Sequence, residues 1–169
     1  NVTIIDGASA RGGQPAWHVV IGANYATLDG FTVMGGRASG TEWPHYEGAG
    51  LLNDQVSPTV ANCMFTDNIA PRGNGGAMAN HAASPVITNC VFFDNAAPDG
   101  VGGALFNWEN AAPLVVNCTI TGNAASAGGG GLAAWNAPAV LIANCIFWDN
   151  LSGEVLAENF VVAEGEGEG

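Results

Sequence analysis

The chain has 169 residues, the size of one domain. Its 25 Gly, 48% apolar and only 11% charged residues, with many β-branched, Asn and Pro residues, favour strands and turns over helices. Three cations (Arg11, Arg37 and Arg72) face fifteen carboxylates, and a net charge of −12 excludes the clustered Lys and Arg that nucleic acid requires. No apolar run approaches about 18 residues, so no membrane span is expected. The sequence opens at Asn1 without an initiating Met; that start is expected to reflect processing or trimming and assigns no compartment.

Asn1 to Asp6 alternates like a strand and breaks at Gly7, and Ala8 to Pro15 reads as a loop. Trp17 to Ile21 reads as a second strand, and Ala26 to Met34 holds further strand. Setting Phe31 and Val33 over Cys63 and Phe65 makes residues 1–47 a divergent first rung, offset by 32 residues. The surplus lies in the Arg37 to Glu47 insertion, which carries Trp43, His45 and Tyr46.

From Gly48 to Asn150 one pattern is written four times. Copies open at Gly48, Gly75, Gly102 and Gly129, 27 residues apart, each followed by small residues and an aliphatic or Met. Asn-Cys pairs follow at Cys63, Cys90, Cys118 and Cys145, and each copy closes on Asn68, Asn95, Asn123 or Asn150. Self-similarity at this period means a solenoid. The fold class is therefore all-β, a right-handed parallel β-helix of about five rungs of 27–28 residues. Each rung is expected to hold three strands. Leu51, Met78, Leu105 and Leu132 point inward on the first; Val60, Ile87, Val115 and Ile142 on the second; the Cys-x-Phe or Cys-x-Ile pairs on the third. One rung cannot hide such a face without its neighbours.

Adjacent rungs stand about 4.8 Å apart, whereas a disulfide wants its Cβ atoms about 3.8 Å apart. The four Cys are therefore expected to form a buried ladder of thiols that packs as small apolar groups. Asn62, Asn89, Asn117 and Asn144 are expected to stack at one corner, and Asn68, Asn95, Asn123 and Asn150 at another. Asn tolerates the left-handed backbone that a sharp corner demands. The helix domain spans 1–163, with regular rungs over 48–150 and one closing strand in 151–163. Residues 164–169, Glu-Gly three times, read as a tail or linker.

Gly75-Gly76-Ala77-Met78 and Gly102-Gly103-Ala104-Leu105, paired with Phe65-x-x-Asn68, Phe92-x-x-Asn95 and Phe147-x-x-Asn150, resemble the repeats of chlamydial polymorphic outer membrane proteins. They are also similar to bacterial surface right-handed parallel β-helix proteins more widely. The resemblance is close over 48–150 and loose over 1–47, and Ile120 departs from the Phe of the motif. It implies extracellular or cell-surface display, adhesion or scaffolding. The chain carries no anchoring barrel, so any anchor is expected outside it.

The same fold hosts pectate lyases and polygalacturonases, so chemistry must be sought in side chains. Lyase chemistry wants carboxylate-held Ca²⁺ beside a basic residue, yet the three Arg are scattered and Lys is absent. Hydrolysis wants carboxylates converging about 5–9.5 Å apart, and no such cluster stands in the strands. No enzyme is expected, and no cofactor. Asp67 and Asp94 share a repeat position and could share Ca²⁺, but two carboxylates fall short of its usual ligand number; solvated side chains are the simpler reading.

Asp54, His81, Trp108 and Trp135 also share one position, so Trp108 and Trp135 could stack as neighbours. With Glu109 and the insertion's Trp43, His45 and Tyr46 they make a candidate glycan or partner contact, or else they cap turns. Val91, Phe93, Ile146 and Trp148 point outward on the third strand as an apolar contact stripe broken by Thr119 and Thr121. The expected role is a non-catalytic structural or adhesion module. Uncapped ends suggest head-to-tail homo-oligomers that extend into filaments. The alternative is a carbohydrate-binding or polysaccharide-degrading β-helix.

Overall fold

The computed structural model describes residues 2–157 and 160–163. The chain winds as a parallel coil whose turns contribute one strand to each of three six-stranded sheets. Sheet I holds Val20–Ile21, Leu51–Asp54, Met78–His81, Leu105–Trp108, Leu132–Trp135 and Val155–Ala157. Sheet II holds Thr27–Asp29, Thr59–Ala61, Val86–Thr88, Leu114–Val116, Val140–Ala143 and Phe160–Ala163. Sheet III holds Thr3–Asp6, Phe31–Met34, Met64–Thr66, Val91–Phe93, Thr119–Thr121 and Ile146–Trp148. A short pair, Ala96–Ala97 with Ala124–Ala125, extends the corner after sheet III.

The coil therefore makes about six turns rather than five. The divergent first 47 residues supply strands to all three sheets, and the closing stretch supplies two strands, Val155–Ala157 and Phe160–Ala163, instead of one. Trp17 to Ile21 yields only Val20–Ile21. Trp17 instead packs its ring on His45 and under the Arg11 guanidinium, which takes it out of the pairing. The 164–169 tail lies outside the described residues.

Register follows the repeat. Leu51, Met78, Leu105 and Leu132 align across sheet I. Val60, Ile87, Val115 and Ile142 align across sheet II, and Phe65, Phe92, Ile120 and Phe147 across sheet III. All but Phe147 are buried, and Phe65 stacks on Phe92 with ring centroids 5.1 Å apart. Each fully buried aliphatic or Phe side chain stabilises the coil by roughly 1.5–3 kcal/mol. The cysteines are free, with Cys63, Cys90 and Cys118 buried. Each Sγ donates to the carbonyl two residues back, at 3.0 Å for Cys63 and 3.2 Å for the others.

The corner before each cysteine is left-handed at Asn62, Asn89, Asn117 and Asn144 (φ 52°, 54°, 55° and 52°). These side chains are exposed, and along this corner Asn89 Nδ2 donates to Asn62 Oδ1 at 3.3 Å. The corner after sheet III is built differently from expectation. Its left-handed residue is Asp67, Asp94, Gly122 or Asp149, while the Asn that follows turns inward. That backbone requirement accounts for the recurring Asp and for glycine as the substitute at position 122.

The inward amides form a continuous column. Asn68 Oδ1 accepts from Gly36 N at 3.0 Å. Asn95 Oδ1 accepts from both the backbone and side-chain nitrogens of Asn68, at 3.2 and 3.1 Å. Asn123 and then Asn150 serve the next turns in the same way. A second column, not anticipated from the repeat, runs inside sheet I: Asn53 Nδ2 donates to Asn80 Oδ1 and Asn80 Nδ2 to Asn107 Oδ1, both at 2.8 Å. It stops at Gly22 below and Ala134 above. A Cβ at Gly22 would lie 1.9 Å from Asn53 Oδ1, so any larger residue there would displace the Asn53 side chain.

Asn95→Ala leaves the Asn68 donors and the Phe65 carbonyl without their partner. At about 1–3 kcal/mol per unpaired buried group, the expected loss is about 3 kcal/mol or more. Asn89→Gly, at an exposed left-handed corner, should stay within about 0.5 kcal/mol. Urea midpoints of the two variants measure the difference.

Candidate functional site: an aromatic bay on sheet I

Alternation along the sheet I strands sends two rows of side chains outward. Leu52, Ala79, Phe106 and Ala133 form the first row. They are nonetheless buried, together with Val101, in a small second core. Asp54, His81, Trp108 and Trp135 form the second row, in register as the repeat requires. Paired apolar residues such as Leu51-Leu52 and Leu105-Phe106 were the sequence signal for a strand covered on both faces.

The Arg37 to Glu47 insertion comes over this surface. Trp43 meets His81 edge-on with centroids 5.0 Å apart and lies 6.0 Å from Tyr46 and 6.3 Å from Trp108. Trp108 and Trp135 are register partners, but each ring has found another neighbour. Trp108 lies 4.8 Å from His81, and Trp135 meets Phe106 edge-on at 5.5 Å. Both indoles stay open to solvent, at 36% and 42% exposure. Tyr46, Glu47, Asn74, Phe106, Trp108 and Trp135 line a recess of about 310 Å³.

Two polar devices stand in this bay. His81 has Asp54 against Nδ1 at 2.7 Å and Glu109 against Nε2. Serving two carboxylates takes a hydrogen on each nitrogen, which is the imidazolium. Burial alone would lower the His81 pKa; the bonds to Asp54 and Glu109 outweigh it and raise it. The second device is Glu47, which the sequence did not single out. It is 5% exposed, and its Oε1 accepts from Asn74 Nδ2 at 2.7 Å. Val101 N–H donates to Asn74 Oδ1 at 3.0 Å, which fixes the amide with its NH₂ toward Glu47. Burial pushes the Glu47 carboxyl up to about 7, against the smaller opposing effects of Asn74 and His81. Glu47, Asn74 and Val101 are 27 residues apart, so the repeat itself stacks them.

The remaining predicted positions lie elsewhere. His45 does not join the bay; it stacks on Trp17 at 4.0 Å, 6.0 Å from the ring of His18. Val91, Phe93, Ile146 and Trp148 do face outward on sheet III, Trp148 at 72% exposure, with Thr119 and Thr121 in register between them. Asp67 and Asp94 are exposed corner residues, and Thr66 Oγ1 donates to Asp67 Oδ2 at 3.3 Å. Among the described residues no three His, Cys, Asp or Glu side chains converge as metal ligands.

The family model for the right handed beta helix region matches residues 47–163. The chain belongs to that family. No curated protein and no solved structure matches it. Within the β-helix, the match spans the regular turns and begins at Glu47, so Trp43 and the rest of the insertion precede it. Among the described residues no helix is long and apolar enough to cross a membrane.

Glu47 makes the β-helix sensitive to pH. An unfolded carboxyl titrates near 4.5 and the folded one near 7, so the folded state holds the extra proton between those values. Its contribution is complete below about 4.5 and is lost as pH rises toward 7. Glu47→Gln, which keeps an acceptor for Asn74, should match wild type at pH 4. At pH 8 it should be more stable by as much as about 3 kcal/mol. Denaturant midpoints at the two pH values test this.

Proposed function

We propose that this β-helix is a non-catalytic adhesion module displayed outside the cell, and that the bay on sheet I binds a glycan. One observation carries the reading. Tyr46, Trp108 and Trp135 line a recess with a buried carboxyl and an amide on its wall, and Trp43 packs edge-on beside Tyr46 and Trp108. Sugar rings present apolar C–H faces that pack on indoles, and their hydroxyls need a few fixed polar partners. Surface display is supported by the likeness of the repeats to bacterial surface proteins. The three Arg are spread through the sequence and none lines the recess, which argues against lyase chemistry on uronates.

A glycan array followed by calorimetry on the strongest ligand tests the proposal. Trp108→Ala and Trp135→Ala should each weaken binding about tenfold or more, as removal of a central aromatic anchor does. Trp148→Ala on sheet III should not. Absence of any glycan binding by wild type removes the reading, and release of products from polyuronates would replace it with an enzyme.

End-to-end association is a second reading. It is favoured by an apolar recess of about 130 Å³ at the first turn, lined by Val20, Ile21 and Leu28 among others. Ile21, one of its lining residues, is exposed, as is Ile4 on the first strand of sheet III. Light scattering at high concentration should then give masses above the monomer; a strictly monomeric mass sinks this idea.

A further inference from the structure

The bay is as distinctive for its charge as for its rings. Around the aromatic wall stand the carboxylates of Asp54 and Glu109 and the carboxyl of Glu47, against one cation, His81. His81 is already held between two of those carboxylates, which leaves Glu47 without a positive partner. Arg11 lies over Trp17, and neither Arg37 nor Arg72 lines the recess. Aromatic faces carry negative potential and attract cations placed over them.

Glu47 is held in a way that specifies what it can accept. Val101 N–H fixes the Asn74 amide, so the Asn74 NH₂ must point at Glu47 Oε1. That oxygen is therefore committed as an acceptor. Oε2 makes no hydrogen bond among the described residues and is not one of the buried unpaired atoms, so it is open to water in the recess. A buried carboxylate is costly unless a donor or a cation meets it. The open oxygen in the recess is therefore free to accept from a ligand's donor, most strongly from a charged one.

Resting on the glycan reading, we infer that the recess selects a sugar bearing a protonated amino group, with its ammonium against Glu47 Oε2 and its ring against the indoles. Such a ligand supplies a charged donor, neutralises the one bay carboxyl that is not ion-paired to His81, and places positive charge beside Trp108 and Trp135. A uronate would bring a second anion into a site already rich in them. An N-acetylated sugar would keep the stacking and lose the charge. The carboxyl's raised pKa fits this arrangement, because an adjacent ammonium would hold it ionised at neutral pH.

Calorimetry on the whole chain with three hexamers tests the inference: β-1,4-linked glucosamine, its fully N-acetylated form, and galacturonate. The glucosamine hexamer should bind at least about tenfold more tightly than the acetylated one, the scale of one charge-assisted contact. The galacturonate hexamer should bind weakest. Glu47→Gln should bring the amino and acetylated ligands within about threefold of each other. Glu47→Asp, which retracts the carboxylate, should shrink the ratio in the same direction. Equal binding of amino and acetylated hexamers, tightest binding of galacturonate, or a preference that survives Glu47→Gln overturns the inference. In those cases loss of binding in Trp108→Ala would still leave the glycan reading standing. If none of the hexamers binds and the array is blank, the glycan reading fails and this inference with it.

Discussion

Stacking of like on like constrains everything else in this protein. Parallel strands about 4.8 Å apart put each inward side chain directly beneath its counterpart one turn on. A position must therefore suit both the interior and a near-copy of itself. Aliphatic and aromatic rows meet that demand by packing, as Phe65 does on Phe92. Asn meets it because an amide carries a donor and an acceptor, so a column of amides satisfies itself. Asn68, Asn95, Asn123 and Asn150 do this while also donating to backbone carbonyls of the preceding turn. A carboxylate at such a site would stack like charges. Acids accordingly occur on the outer corners, where Asp67, Asp94 and Asp149 take the left-handed backbone in contact with water.

The same constraint shapes the bay. A row that repeats every turn would be uniform, and a uniform row makes a stripe rather than a pocket. The bay exists because its row is not uniform: Asp54, His81, Trp108 and Trp135 change at each step. The stacked loops vary in step with it, from Glu47 to Asn74 to Val101. The one large insertion adds Trp43 and Tyr46 where the row is acidic and polar. Variation within a regular scaffold is what gives one face an inside.

Much of this was legible in the sequence because a repeated position has only one geometric meaning. The inward rows, the free thiols and the register of Trp108 with Trp135 follow from counting residues. What escaped counting were relations between neighbours in space rather than in phase. Asn53, Asn80 and Asn107 recur every 27 residues, but the glycine and cysteine landmarks of the repeat do not mark their position, and only the register shows them as a column. Glu47 looked like the last residue of a loop; only the fold of the insertion shows it buried against Asn74. His45, adjacent to Tyr46 in sequence, faces Trp17 because the chain bends between Trp43 and Tyr46. Left-handed corners were predicted correctly as a need, but at the sheet III corner the residue that meets it is the one before the Asn.

The two amide columns share a sense that their chemistry alone does not require. In both, every Nδ2 hands its hydrogen to the next turn toward the carboxyl end, from Asn53 to Asn107 and from Asn68 to Asn150. The cylinder thus has an interior arrow as well as a backbone direction. The sheet I column ends below in an acceptor, the unpartnered Oδ1 of Asn53 above Gly22. Side-chain dipoles laid in parallel make the two faces of any cut through the coil chemically unlike. A turn can be spliced in or removed without loss only if its amides run the same way, so the coil changes length in whole, oriented units.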